Sequence, residues 1–87
     1  MIPHFTKRME VGNGYVNIYF NRVYTVEGMH FHVSLIERET RKLIMFMMHE
    51  NEGAWSIINP QIVPDWTREL ELQLSEIIQR HQTEEGK

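Results

Sequence analysis

Apolar and polar residues alternate along the first two-thirds of the chain, after which the apolar spacing changes to steps of three and four. A period of two marks strands with one buried face, and a period near 3.6 marks an amphipathic helix. Turn signals cut the alternating part into strands. Gly12-Asn13-Gly14 contains Asn-Gly, both of whose residues tolerate the positive φ of a tight hairpin. With Asn13-Gly14 as the loop, Val11 pairs with Val16 and Met9 with Ile18. A turn at Glu27-Gly28 sets Val26 against Met29, Tyr24 against Phe31 and Phe20 against Leu35. A turn centred on Glu39-Thr40, within the charged run Glu37 to Lys42, sets Leu35 against Ile44, Val33 against Phe46 and Phe31 against Met48.

These registers, chosen one turn at a time, gather a single apolar set on a single face. It comprises Met9, Val11, Val16, Ile18, Phe20, Tyr24, Val26, Phe31, Val33, Leu35, Ile44, Phe46 and Met48. A one-residue slip at any turn scatters it over both faces. Arg22 interrupts the set, which a bulge near Asn21 or an edge position explains. The fourth turn, Glu50-Asn51-Glu52-Gly53, admits two readings. A four-residue loop brings Trp55 and Ile57 to the face of Phe46 and Met48, and a three-residue loop sends them to the other. The first buries the tryptophan and is preferred.

Pro60 cannot donate to a ladder, so the chain leaves the sheet there. Asp65 is placed to cap a helix whose first turns carry Glu69 and Glu71, favoured at the positive end of the dipole. Trp66, Leu70, Leu74, Ile77 and Ile78 then fall on one stripe, while Leu72 lies opposite it. The expected fold class is α+β: an antiparallel β-meander of about five strands and one C-terminal amphipathic α-helix packed on one sheet face. The expected boundaries are strands at about 4–11, 15–26, 29–37, 43–50 and 54–59, a helix at about 65–81 and a frayed tail at 82–87. All of it forms one domain, 1–87.

The opposite face is more apolar than a solvated sheet face needs to be. Tyr19, Ile36, Leu43, Met45 and Met47 share it, with Ile36 pairing with both Leu43 and Tyr19 in these registers. A contiguous exposed patch of this kind marks an interaction surface, and methionine adapts well to such surfaces. The expected partner is a second copy, as a homodimer; another protein is the alternative occupant. The competing structural explanation is cover from within the chain, by the N-terminal segment or the 59–64 connection.

Composition narrows the classes. A chain of 87 residues holds one core, and without cysteine it has no disulfide to staple it, which fits a reducing compartment. The N-terminus has no basic run followed by an apolar stretch, and no apolar run nears the roughly 20 residues of a membrane span. The expectation is a cytoplasmic protein with no membrane partner. Nine Lys+Arg against twelve Asp+Glu give a net charge of −3, which argues against a general grip on a phosphate backbone.

Three kinds of chemistry remain to be compared with that background: metal binding, catalysis and nucleic-acid binding. His30 and His32 are two apart on one strand, and the third-turn register brings His49 beside His30 and Met47 beside His32. Imidazoles suit zinc, copper and nickel, and a thioether favours copper(I), so His30, His32 and His49 form a possible metal site. No cysteine or acidic ligand joins them, and histidines on a half-exposed sheet face are common as plain interface residues, so no cofactor is expected. No enzyme is expected either. Ser34, Ser56 and Ser75 lack a Gly-x-Ser-x-Gly setting, and Asp65, the only aspartate, is better explained as a cap. The pairs Glu37/Glu39 and Glu50/Glu52 lie in turns, where carboxylates are ordinarily solvated. Lastly, Arg8, Tyr15, Tyr19, Arg41 and Lys42 supply rings for stacking and cations for phosphates, with Tyr24 and Arg38 nearby. The order of elements, a curved antiparallel sheet followed by a helix, resembles the Whirly and PUR type of single-stranded nucleic-acid-binding domains, although no family motif matches residues here. That resemblance implies nucleic acid on the sheet face as the alternative function. Glu10, Glu37 and Glu39 offset much of the positive charge, and tyrosines on sheets commonly serve as cross-strand packing pairs.

Overall fold

A computed structural model describes residues 4–11, 14–37 and 40–85. Five strands, β1 (His4–Val11), β2 (Gly14–Thr25), β3 (Gly28–Ile36), β4 (Leu43–Asn51) and β5 (Ala54–Ile57), form one antiparallel sheet in chain order. A 3-10 turn at Pro60–Ile62 leads to the short helix α1 (Asp65–Arg68) and then to α2 (Glu71–Glu85). The fold is thus the expected meander and C-terminal helix, with every expected strand present.

The alternation selects the correct face at every strand, yet the register differs at three of the four turns, each time by two residues. Met9 pairs with Val16 and Val11 with Gly14, so the first connection is 12–13, outside the described residues, rather than Asn13-Gly14. Tyr24 pairs with Met29 and Phe20 with Val33, which makes Val26-Glu27 the second turn, followed by Gly28 at φ +126°. The positive φ there is a conformation glycine adopts without a Cβ penalty. At the fourth turn Asn51 pairs with Ala54, so the loop is Glu52-Gly53, both at positive φ (55° and 90°), and not four residues. Two positive φ values in succession give a type I′ hairpin, which matches the twist of the strands. Trp55 and Ile57 are buried on the core face in that register. The β3–β4 register is as expected, with Leu35 opposite Ile44 and Phe31 opposite Met48.

The core contains Met9, Val16, Ile18, Phe20, Phe31, Val33, Leu35, Ile44, Phe46 and Met48, joined by Leu70, Leu74 and Ile78 from the helical segment. Trp66 and Ile77 pack against it partly buried. Tyr24 and Val26 were expected in this set and are exposed instead. Val26 lies in the turn itself, and Tyr24 flanks it at the tip of the hairpin. Arg22 sits in a continuous β2–β3 ladder with no bulge, opposite Phe31, and its guanidinium lies 6.0 Å from the centre of that ring.

The sheet curls. Phe5 on β1 stacks on Phe20 at 4.6 Å and also meets Phe31 on β3 at 5.8 Å, while Phe31 meets Trp55 on β5 at 5.2 Å. Strands two apart are about 9.6 Å apart in a flat sheet, so rings that meet this closely converge on a concave side. The helix confirms it: Ser75 bonds to β5, and His81 stacks on Phe5 of β1 at 3.7 Å. Six residues of helix advance about 9 Å, whereas the outer strands of a flat five-stranded sheet lie about 19 Å apart. The first and last strands therefore approach one another, with α2 lying between them.

Three details of the helical segment differ from expectation. Pro64 takes the N-cap position, its carbonyl accepting the amides of Thr67 and Arg68, so Asp65 falls in the first turn and pairs with Arg68. The helix breaks at Glu69-Leu70, where Leu70 N–H donates to Thr67 O, and Val63, Thr67 and Leu70 are all buried around the break. The tail expected to fray is helical to Glu85, held by the His81–Phe5 stack and by Thr83 Oγ1 donating to Gln79 O; 86–87 lie outside the described residues.

The outward amides of β5 are met by side chains of α2. Trp55 N–H donates to Ser75 Oγ and Ile57 N–H to Glu71 Oε2, each at 2.9 Å, and Gln79 Nε2 donates to Gly53 O. Ser75 is buried, so its removal leaves Trp55 N–H unpaired away from water. Ser75→Ala is expected to destabilise the fold by about 1–3 kcal/mol in denaturant titration, less a few tenths for the better helix propensity of alanine. The Trp55 amide should then exchange with solvent faster than that of Ile57; equal protection in variant and parent would show that the bond contributes nothing.

Candidate functional site

With α2 on the concave side, the convex face is left to other uses, and the alternation decides which side chains it carries. Cross-strand rows run Tyr19–Ser34–Met45 and Asn21–His32–Met47, with Ile36 opposite Leu43. Tyr19 thus pairs with Ser34 and not with Ile36, the consequence of the two-residue shift between β2 and β3. Tyr19 and Ile36 still line one shallow hollow, with Tyr15, Val16, Asn17 and Arg41.

Tyr19, Ile36, Leu43 and Met45 are 45–53% exposed, and Met47 is half-buried beside His32. The 59–64 connection does not cover them. It enlarges the patch: Ile62, in the 3-10 turn, is 66% exposed and lines a second hollow with Leu43 and Met45, of about 470 Å³, bounded by Lys42 and Pro64. Sequence periodicity could not find Ile62, which lies outside any strand and reaches the patch only through the path of the chain after β5. Leu72 is exposed on α2, as expected.

The histidines are placed in part as expected. The His30 and His49 rings lie 6.4 Å apart, tilted by 39°, and His32 faces Met47 one row along. His30 is buried, with its Nδ1 3.3 Å from Thr25 Oγ1. Among the described residues no three His, Cys, Asp or Glu side chains come close enough together to hold a metal ion.

The residues singled out for nucleic acid divide into two groups. Arg8 lies over the Tyr15 ring at 4.5 Å, and Tyr15, Tyr19 and Arg41 share the first hollow. Lys42 belongs to the second hollow, beside the apolar residues. Tyr24 is exposed beyond the Arg8–Tyr15 contact, at the β2–β3 tip. Of the polar groups weighed for catalysis, the Ser75 hydroxyl accepts the Trp55 amide and the Asp65 carboxylate pairs with Arg68. No helix among the described residues is long and apolar enough to cross a membrane.

Comparison with protein-family models, with curated proteins and with solved structures finds no match to this chain. The functional reading therefore rests on its own surface. One defined side-chain contact on that surface is the Arg8–Tyr15 pair, diagonal neighbours across β1 and β2. A double-mutant cycle with Arg8→Ala and Tyr15→Leu is expected to return a coupling of about 0.5–1 kcal/mol, the range of an exposed cation–π contact. A coupling indistinguishable from zero would mean that the arginine is free to leave the ring.

Proposed function

We propose that this protein is a small non-enzymatic interaction module that self-associates through the convex sheet face. The observation that carries the proposal is the half-exposed apolar group Tyr19, Ile36, Leu43 and Met45, extended by Ile62. Monomeric proteins seldom leave such side chains side by side in water. The partner is a second copy because the centre of the patch is uncharged, so two copies meet there without facing like charges, and a two-fold interface needs only one such surface. The cations Arg41 and Lys42 stand at the margins of the two hollows, where solvent remains within reach.

Light scattering coupled to size exclusion over a range of concentrations tests the proposal directly. The expected result is a dimer whose population falls on dilution, and Met45→Glu or Leu43→Glu should yield a folded monomer. Both positions are exposed in the single chain, so either substitution should leave the melting temperature of the monomer nearly unchanged. A parent chain that is monomeric at every concentration removes the proposal.

One observation favours a second reading, single-stranded nucleic acid: Arg41 joins Tyr15 and Tyr19 in one hollow, with Arg8 already on Tyr15. It requires salt-dependent binding of single-stranded oligonucleotides that is weakened by Arg41→Gln and unaffected by Met45→Glu.

A further inference from the structure

Between the outer edge of β1 and the C-terminal half of α2 lies a cleft of about 220 Å³, lined by Lys7, Arg8, Ile77, Arg80, His81 and Glu84. We propose that this cleft binds a phosphate group carried by a small molecule. In a chain of net charge −3, Lys7, Arg8, Arg80 and His81 line this cleft, with Glu84 the one carboxylate among the described lining residues. Among the described residues no carboxylate lies within ion-pair distance of Lys7, Arg8 or Arg80.

The position of Lys7 is the most telling. By strand parity it belongs with Phe5 and Met9 on the helix-covered face, opposite the fully buried Ile18. An apolar side chain is the ordinary occupant of such a site. Because β1 is the edge strand, Lys7 stays exposed at the margin of the sheet, where it lines the cleft with Arg80 of α2. Arg8, the next residue, also lines the cleft, while its guanidinium lies over the Tyr15 ring on the convex face at 4.5 Å. An inward charge on an edge strand discourages edge-to-edge pairing, and a cation late in a helix suits its dipole. Each of these accounts for one residue and neither accounts for Lys7, Arg80 and His81 lining one cleft.

The walls are held in place. His81 stacks on Phe5 with ring centres 3.7 Å apart, and Phe5 in turn stacks on Phe20 of the core. Ile77 forms an apolar side. Guanidinium groups recognise phosphate oxygens two at a time, and an ammonium adds a point charge. A volume near 220 Å³ corresponds to about seven water molecules at roughly 30 Å³ each. That suits a phosphate and a few further atoms and is below the roughly 300–1,000 Å³ of sites for larger ligands. The cleft lies at the β1–α2 seam, away from the Leu43–Met45–Ile62 patch, so its occupancy is independent of self-association.

Inorganic phosphate is the probe, titrated against chloride at matched ionic strength and followed by amide and histidine-ring resonances. Saturable shifts are expected at Lys7, Arg80 and His81. Lys7→Gln and Arg80→Gln should each weaken binding about tenfold, the loss of one charge-assisted hydrogen bond, and Lys42→Gln should leave it unchanged. Arg80→Lys keeps charge and helix, and its weaker binding would report the loss of the two-pronged contact. Melting in chloride verifies that each variant is folded. Equal shifts with chloride, equal weakening by Lys42→Gln, or unchanged binding in folded Lys7→Gln and Arg80→Gln overturns the proposal. A single-stranded oligonucleotide that moves the same resonances more tightly than phosphate overturns the small-molecule assignment in favour of a nucleic-acid backbone.

Discussion

A sheet edge leaves backbone amides that must find partners, and this fold meets that requirement at β5 with the side chains of a helix. Glu71, Ser75 and Gln79 follow one another at intervals of four residues on α2, and their partners Ile57, Trp55 and Gly53 follow one another at intervals of two along the strand. Four helical residues advance about 6.0 Å and two strand residues about 6.8 Å, so the two series stay in step over three contacts. Helix and strand run antiparallel, and the match sets both the direction of α2 and its rotation. With that rotation Leu70, Leu74 and Ile78 face the core. A helix driven by its apolar stripe alone has no comparable reason to choose one angle across a sheet.

The curl of the sheet follows from the same arrangement. One flank of α2 is bound to β5 while His81, less than two turns beyond Ser75, stacks on Phe5 of β1. The outer strands are thereby drawn toward a common helix, and the rings of Phe5, Phe20, Phe31 and Trp55 converge beneath it. With the concave side so fully occupied, the convex side has no intramolecular layer among the described residues. The apolar residues there, Ile36, Leu43 and Met45, are thus an outcome of how the helix is placed as much as of composition.

The two edges are treated differently. At β5 the helix supplies hydrogen bonds, while at β1 it supplies a ring stack and cations. Lys7 stands where the alternation calls for an apolar residue, and Arg80 and His81 stand opposite it. The molecule therefore has two surfaces of contrasting character, an uncharged apolar patch on the convex face and a basic cleft at the β1–α2 seam. Each is built from residues that different elements contribute, which is why neither reads as a motif.

How much of this was legible beforehand depends on the physical period of each signal. Side chains in a strand alternate with period two, so the apolar pattern determined which face each of the first four strands buries and hence the core from Met9 to Met48, while the fifth strand was assigned by the preference for burying Trp55. The same periodicity cannot separate registers that differ by two. Tyr24 opposite Phe31 and Tyr24 opposite Met29 bury the same face, and only the turn geometry, with Gly28 and Gly53 at positive φ, selects between them. That choice decided that Tyr19 faces Ser34, not Ile36, and that Val26 stands in solvent. The helical stripe was equally plain, since a 3.6 period concentrates Leu70, Leu74 and Ile78 on one side. Glu71, Ser75 and Gln79 are also four apart, but polar residues on a helix flank ordinarily face water, and they acquire a role only when a strand edge lies beside them. Local periodicity thus fixed which side chains turn inward, whereas the meeting of Ser75 with Trp55, of Ile62 with Met45 and of Lys7 with Arg80 was settled by the tertiary structure, because contacts between residues distant in the chain depend on the curl and seating of whole elements, which no local pattern encodes.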